Sequence, residues 1–443
     1  MKASGVDWLG EVPSHWSASR LRFSLAMNPS SREAGHLAPD EEVSFVPMEA
    51  VGERGGLDLA ATRPAADLSG AYTYFRDDDV VVAKITPCFE NGKGAHAAGL
   101  VNGVAIGTTE LHVLRPHSTA FDARFLFYLS ISQPFRALGE AAMYGAGGQK
   151  RVPDTFIKDL RAPLPPLDEQ RAIVAFLDRE TGRIDALVAA KRRLIALLQE
   201  MRAALIARAV TRGLDPDVPT KESGVAWLGR VPAHWVVKRL RFALSAIEQG
   251  WSPQCDNSPA DDDEWGVLKA GAVNGPTLDE TENKRLPDTL MPLVEYEIQP
   301  GDVIMSRANT KELLGSTVHV ESVRRGLLLC DKLYRLGYDA EAVDPAFLTL
   351  ALRATSGRAE LEKEATGTSA SMQNIGQRAV ADARLAFPPL SEQREIARSA
   401  SHATAEVDKQ VTANQTMLTR LAEYRSTLIT SAVTGRIDVR AAA

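Results

Sequence analysis

Residues 4–25 read SGVDWLGEVPSHWSASRLRFSL and residues 223–244 read SGVAWLGRVPAHWVVKRLRFAL; the two share 15 of 22 positions without a gap. A second pair closes each half, PPLDEQRAI at 165–173 and PPLSEQREI at 388–396. Keeping that offset of 223 residues, Asp185 falls on Asp408, Glu200 on Glu423, Arg202 on Arg425, and ALIARAVT (204–211) on TLITSAVT (427–434). DVVVAKITP (79–87) and DVIMSRANT (302–310) also stand 223 apart, whereas the rest of the two interiors has little in common. A period this long is no solenoid repeat, whose units run to roughly 50 residues at most. The chain is a tandem duplication with two fixed frames and two divergent interiors.

The second half of each frame predicts a long helix, over 168–210 and 391–433. Pro165-Pro166 and Pro388-Pro389 stop the preceding strand, and Asp168 and Ser391 are suited to the N-cap. Gly213 and Gly435 follow the last periodic residues, where a left-handed C-cap is expected. Steps of four and three pick out Ile173, Leu177, Glu180, Ile184, Leu187, Lys191, Leu194, Leu198, Met201, Leu205 and Arg208 as a seam. The second helix carries a weaker one through Ile396, Ala400, Ala403, Val407, Gln410, Asn414, Met417, Leu421, Tyr424, Leu428 and Ser431. At about 43 residues and about 1.5 Å each, either helix is roughly 65 Å long. Each alone exposes an apolar stripe, so the two are expected to pair.

The interiors, about 20–160 and 240–385, have another pattern. VSFVPM, DVVVAKI and TELHVLRP predict strands in the first, and WGVLKAG, DVIMSRA and KLYRLGY in the second. A short helix (FDARFLFYLSIS, PAFLTLALRA) and a Gly- or Ser-rich loop follow in each. The expected architecture is α+β: two globular domains and two long helices that pair as a coiled coil, in an internal repeat. Expected bounds are 1–162 for the first domain, 163–213 for the central helix, 214–387 for the second domain and 388–443 for the distal helix and tail.

Composition narrows the function by exclusion. Charged residues at 24% and hydrophobic residues at 44% fit a soluble, well-packed protein, and no apolar run reaches the roughly 20 residues of a membrane span. The N-terminus MKASGVDWLG lacks a signal-peptide pattern, and Cys88, Cys255 and Cys330 form neither a disulfide framework nor a zinc motif. A reducing cytoplasm is the expected home. The net charge of −6 is uneven: −3 over 1–162, +3 over 163–213, −7 over 214–387 and +1 over 388–443. Such a chain is not built to hold any duplex indiscriminately, but local basic loops remain open to one.

Catalytic motifs are missing. No Asn/Asp-Pro-Pro-aromatic motif of an amino-methyltransferase is present, and YGAGGQKR (144–151) lacks the Gly before and the Ser/Thr after the lysine that a phosphate loop needs. Glu282-Asn283-Lys284, with Asp261–Asp263 upstream, mimics a nuclease triplet but sits in a polar stretch that reads as a solvated acidic loop. The eight His residues have no metal-ligand spacing. His15-Trp16 and His234-Trp235 recur with the frame and read as packing.

What remains is recognition. YGAGGQKR and ATGTSASMQN (365–374) combine backbone freedom with amide, hydroxyl and basic groups. AKITPCFENGK (83–93) and SRANTKE (306–312) have the same character and equivalent places. Such groups contact phosphates and read base edges. The candidate DNA-contacting residues are Lys84, Thr86, Asn91, Lys93, Tyr144, Gln149, Lys150 and Arg151 in the first half. In the second they are Arg307, Asn309, Lys311, Ser369, Ser371, Gln373 and Asn374. No catalytic, cofactor-binding or metal-binding residue is assigned.

SGVxWLGxVPxHW, PPLxEQRxI opening a long helix, AVTRGLDP and AVTGRIDVR together resemble the specificity subunit of type I restriction–modification systems. The resemblance covers both frames but not the interiors, which in that family differ with the DNA sequence read. It implies a non-catalytic, sequence-specific subunit with two globular target-recognition domains separated by two long antiparallel helices, a pseudo-two-fold internal repeat in which each domain reads half of a bipartite asymmetric site and the helices are the spacer. It further implies two methyltransferase (modification) subunits docked along the frame and bringing S-adenosylmethionine, and restriction/translocase subunits with ATP and Mg²⁺. Glu169, Gln170 and Arg171, with Glu392, Gln393 and Arg394, are the corresponding partner-binding candidates. Trp8, Pro13 and Trp16, with Trp227, Pro232 and Trp235, are expected to anchor each domain on the helices. The alternative is a non-enzymatic coiled-coil scaffold whose globular ends bind proteins.

Overall fold

The structure is a computed structural model that describes residues 1–69, 71–146, 148–363, 365 and 373–439. Eight α-helices occur among these: α1 Ala123–Ser130, α2 Gln133–Ala141, α3 Asp154–Asp159, α4 Leu167–Arg212, α5 Pro345–Arg353, α6 Thr355–Lys363, α7 Gln377–Asp382 and α8 Leu390–Val433. The chain forms two compact units, Met1–Arg192 with Gln415–Ala443, and Arg193–Asn414. The division passes through both long helices, whereas the bounds expected from sequence follow the chain from one helix end to the next.

In the first unit a four-stranded sheet runs Leu25–Met27, Leu111–Pro116, Val80–Ala83, Gly94–His96, with every neighbour antiparallel. A second sheet runs Thr62–Pro64, Glu42–Val46, Val104–Gly107, Thr73–Arg76. In the second unit the sheet Leu244–Gln249, Leu333–Tyr338, Val303–Ser306, Thr317–His319 repeats the first in order and direction. The interiors therefore share a plan that their sequences conceal, because burial constrains side-chain volume and alternation far more loosely than identity. One largely shielded ion pair stands in both: Arg115 Nε lies 2.6 Å from Asp79, and Arg335 Nε 3.1 Å from Asp302. The same two aspartates accept the backbone N–H three residues upstream, from Arg76 and Gln299.

Each frame packs as one junction. In the first unit the strand Ser17–Arg20 pairs with Arg161–Leu164, just ahead of α4; in the second Val236–Arg239 pairs with Arg384–Phe387, just ahead of α8. Trp16 and Trp235 are buried to within 1%. The end of a long helix seats on each: Gly435, after α8, lies against Pro13 and Trp16, and Gly213, after α4, against Pro232 and Trp235. Both glycines have φ +73°, the left-handed C-cap the sequence predicts. The chain's two ends thus meet in the first core, where Leu9, Val12 and Trp16 cluster with Leu428, Ala432, Val433 and Val439.

Within the first unit Ile184 and Val188 of α4 share a cluster with Leu428 and Ile429 of α8, and Arg425 reaches Asp185 at 3.4 Å. Within the second, Ile206 of α4 clusters with Ile396 and Ala397 of α8, and Arg202 reaches Asp408 at 2.9 Å. Early α4 meets late α8, and late α4 meets early α8, so the helices run antiparallel. The aligned pairs Asp185/Asp408 and Arg202/Arg425 bond crosswise, one bond within each unit.

Two details depart from the sequence expectation. The helices begin at Leu167 and Leu390, so Asp168 and Ser391 lie inside the first turn, and the carbonyls of Pro166 and Pro389 accept the first helical bonds. The buried line of α4 passes through Thr181, Ile184, Val188, Leu198 and Ile206, while Leu187, Leu194, Met201 and Leu205 are 38–46% exposed. A strict 3.5-residue repeat drifts against a 3.6-residue helix, and the face is set where α1 packs: Tyr128 Oη bonds Asp178 at 2.7 Å beside Thr181.

Candidate nucleic-acid interface

The residues singled out for DNA contact come from distant stretches, and each unit brings two such stretches together. In the first, the segment leaving Val80–Ala83 pairs with the Gly-rich loop: Thr86 N–H donates to the Lys150 carbonyl at 3.0 Å and Val152 N–H to the Lys84 carbonyl at 2.8 Å. The Thr86 hydroxyl adds a bond to the same Lys150 carbonyl at 3.2 Å. Tyr144 and Arg151 exchange backbone bonds at 3.1 and 2.9 Å, closing the loop between them. In the second unit, Ala308–Asn309 pairs antiparallel with Gln373–Asn374, and Ile375 N–H donates to the Arg307 carbonyl at 2.8 Å. A two-segment platform at the end of the central strand is thus built twice. Ser369 and Ser371 lie outside the described residues.

The side chains divide into two groups. Asn91, Tyr144, Gln149, Lys150 and Lys311 are exposed, Tyr144 by 65%, and Asn91 also donates from Nδ2 to Glu53 at 3.4 Å. Others already have internal partners. Lys93 Nζ donates to the Met48 carbonyl at 2.8 Å, which ties its charge to the scaffold. Arg151 forks onto Glu110 at 2.9 and 2.8 Å, and that fork holds the Glu110 carboxyl below the usual range. Arg307 donates to the Asp331 carbonyl at 3.1 Å and lies over the Tyr334 ring. Asn309 donates to Asn274 at 3.0 Å and to Ser306. These four shape the platform more than they extend from it. Glu110 and Asn274 carry no local signal in the sequence, since they stand 41 and 35 positions from the residues they hold.

The partner-binding candidates sort in the same way. Gln170 is fully buried; its Nε2 donates to the carbonyls of Ala120 and Pro165, and its Oε1 accepts from Asp122 N–H, all at 2.8–2.9 Å. Gln393 repeats this with Ala342, Pro388 and Asp344 at 2.9–3.1 Å. Both glutamines lock the helix start to the N-cap aspartate of the short helix α1 or α5 and face inward, not toward a partner. Glu169 accepts from His15 at 2.7 Å, and Glu392 from His234 at 2.7 Å and Trp235 Nε1 at 3.0 Å. The HW and EQR motifs are therefore two sides of one joint, in which each exposed histidine bonds the glutamate of the helix start. Arg171 and Arg394 remain exposed. The joint leaves Phe23 and Phe242, equivalent residues of the first motif, 68% and 69% exposed; the RLRF repeat is the signal that marks them. Trp8 bonds the Arg161 carbonyl at 3.2 Å, while Trp227 stays 37% exposed.

Among the described residues no group of His, Cys, Asp or Glu is placed to hold a metal ion, and no helix is long and apolar enough to cross a membrane. A protein-family model described as the type I restriction modification DNA specificity domain matches residues 61–195. The EcoEI type I restriction enzyme specificity subunit of Escherichia coli is 28% identical, over 87% of this chain and 77% of its own. That of EcoKI, from E. coli K12, is 24% identical over 74% and 68%. That of EcoAI, also from E. coli, reaches 38% over a shorter stretch, 37% of this chain and 28% of its own. Two solved structures share the fold at 18% identity. A chain from a study of complex assembly and conformational transition in a type I R-M system gives a TM-score of 0.73, covering 96% of this chain and 100% of its own. The HsdS subunit of Thermoanaerobacter tengcongensis gives 0.54, covering 96% and 98%. The duplicated frame and the paired platforms thus stand in a chain that carries the type I restriction modification DNA specificity domain over residues 61–195 and is similar along most of its length to specificity subunits of type I restriction enzymes.

Proposed function

We propose that this chain is the non-catalytic subunit that reads a bipartite, asymmetric DNA site, one half through each platform, and brings partner enzymes to it. The observation that carries this is the two-segment platform built twice, at the same place in the fold, from sequences that differ. Equal construction with unequal surface groups suits two different half-sites. Exposed Asn91, Gln149 and Lys150 in one, and Lys311 in the other, supply base-edge and phosphate contacts.

Two methyltransferase subunits dock on the duplicated frame, each meeting one copy of the same surface. Phe23 and Phe242, with Arg171 and Arg394, belong to that surface, as do the uncovered Leu194, Leu197 and Met201 of α4. These partners carry S-adenosylmethionine; restriction/translocase subunits add ATP and Mg²⁺, and the assembly works on DNA in the cytoplasm. Helices α4 and α8 act as the spacer between half-sites. The scaffold alternative has no relative in its favour among those described.

Selection from random duplexes, with the chain co-expressed with its methylating partner, tests the reading; an enriched two-part motif is expected, and none would overturn it. Exchanging residues 20–160 for another family member's interior should change one half-site only. Four residues inserted after Ala189 add about 6 Å of helix, or one to two base pairs at about 3.4 Å each, to the gap between half-sites. An unchanged gap with altered bases would refute the spacer.

A further inference from the structure

Each platform rests on an arginine that no motif announces. In the first unit Arg136, fourth residue of α2, donates from Nη1 to the carbonyl of Phe89 at 2.7 Å. In the second Arg358, fourth residue of α6, donates from Nη2 to the carbonyl of Lys311 at 3.2 Å. Both bonds span 47 positions. The acceptors lie in the turn that leaves the central strand and carries Asn91 in one unit and Lys311 in the other. Helices α2 and α6, QPFRALGEA and TSGRAELEK, agree at only three of nine positions, so the contact persists where its surroundings have changed.

The first arginine is held at a cost. Its Nε and Nη2 are buried with no hydrogen-bond partner among the described residues, and burial lowers its pKa to about 10, so it is still charged at neutral pH. A buried charge without a carboxylate is unfavourable, and an aliphatic residue would pack the site more cheaply. What arginine adds is a planar donor fork aimed at one carbonyl, with the guanidinium 4.7 Å from the centre of the Phe89 ring. Arg358 is less isolated, with Glu362 at 3.5 Å. Shape-fixing donors behind a recognition loop are worth such a cost only if the loop must present its side chains in one orientation.

We propose that Arg136 and Arg358 are positioning residues for DNA reading, each fixing the carbonyl of its recognition turn so that the polar side chains beside it meet the bases in one register. This rests on the platforms being the DNA-reading surfaces. The test uses the full chain co-expressed with its methylating partner, in wild-type form and as Arg136→Met, Arg136→Lys, Arg358→Met and Arg358→Lys. Selection from random duplexes should show R136M losing base preference in one half-site and R358M in the other. Discrimination against a single mismatched base in the affected half should fall about tenfold, with partner assembly unchanged and partial recovery in the lysine variants. Folded, assembled methionine variants that keep wild-type preference in both halves would overturn the proposal, as would equal loss in both halves from a single change. If R136M does not fold, R358M decides. If wild type enriches no two-part motif, the DNA reading itself fails. Limited proteolysis of 85–93 and 310–315 then decides the arginines' role: faster cleavage in the methionine variants supports positioning, and unchanged rates overturn it.

Discussion

Replacing Gln170 with Leu separates two roles that its motif leaves open. The side chain is fully buried and makes three hydrogen bonds, to Ala120, Pro165 and Asp122. Leucine fills a similar volume but strands one N–H and two carbonyls. A buried unsatisfied group costs about 1–3 kcal/mol, and a partly solvated one less. Only the Pro165 bond is wholly enclosed, so with some apolar gain from leucine the net loss is about 2–4 kcal/mol. For a unit of this size that is roughly 4–16 °C in Tm. Calorimetry of the intact chain should show one transition lowered by Q170L and, if the units melt separately, the other by Q393L. Arg171→Ala, on the exposed side of the same motif, should leave both transitions in place and weaken capture of the methylating partner. If Q170L melts as wild type does but no longer assembles, the clamp is wrong and the glutamine faces the partner.

Three further outcomes follow from the same geometry. Lys150→Ala should lower the slope of log affinity against log salt by about 0.9, one phosphate's share, and Arg151→Ala by clearly less because Glu110 already neutralises that charge; equal effects would reject the division. Gly435→Ala puts a Cβ 2.5 Å from Pro13 and 2.9 Å from Trp16 at φ +73°, costing about 2–4 kcal/mol. Gly213→Ala, at the same φ with nearest atoms at 3.3 Å, should cost only about 1 kcal/mol, and denaturant midpoints would expose any reversal of that order. Burial holds the His112 pKa below its ordinary 6.5, against the Val152 carbonyl it bonds at 2.9 Å. The unfolded chain then takes up the proton first, so His112 contributes stability that is present above pH 6.5 and lost as pH falls toward its folded pKa. His112→Gln should flatten the decline in urea midpoint between about pH 7.5 and 5.5; a decline as steep as wild type would count against the assignment.

Much of this was legible in advance. VSFVPM, DVVVAKI, TELHVLRP, WGVLKAG, DVIMSRA and KLYRLGY each contain a strand, FDARFLFYLSIS and PAFLTLALRA hold α1 and α5, and the long helices fall within two residues of their expected ends. Proline stops, a glycine C-cap and alternation are local signals, and local signals survive without a fold. The exposed stripe of α4 was misassigned because a helix with leucines on two faces does not say which face a neighbour covers. That Lys93, Arg151 and Asn309 are tied inward was equally hidden, since the tying groups lie 35–45 positions away.

The duplication by itself determined that this protein has two like frames, two unlike interiors and a pair of long helices, because repeats and periodicity are written along the chain. Only the tertiary structure decided how the frames close. The end of α8 completes the first unit on Trp16, and the end of α4 completes the second on Trp235. Glu169 and Gln170 turn from partner candidates into the inner side of that joint. Hydrogen bonds and close packing act through space, so a glutamine that is polar in sequence becomes a clamp only where three backbone groups converge on it.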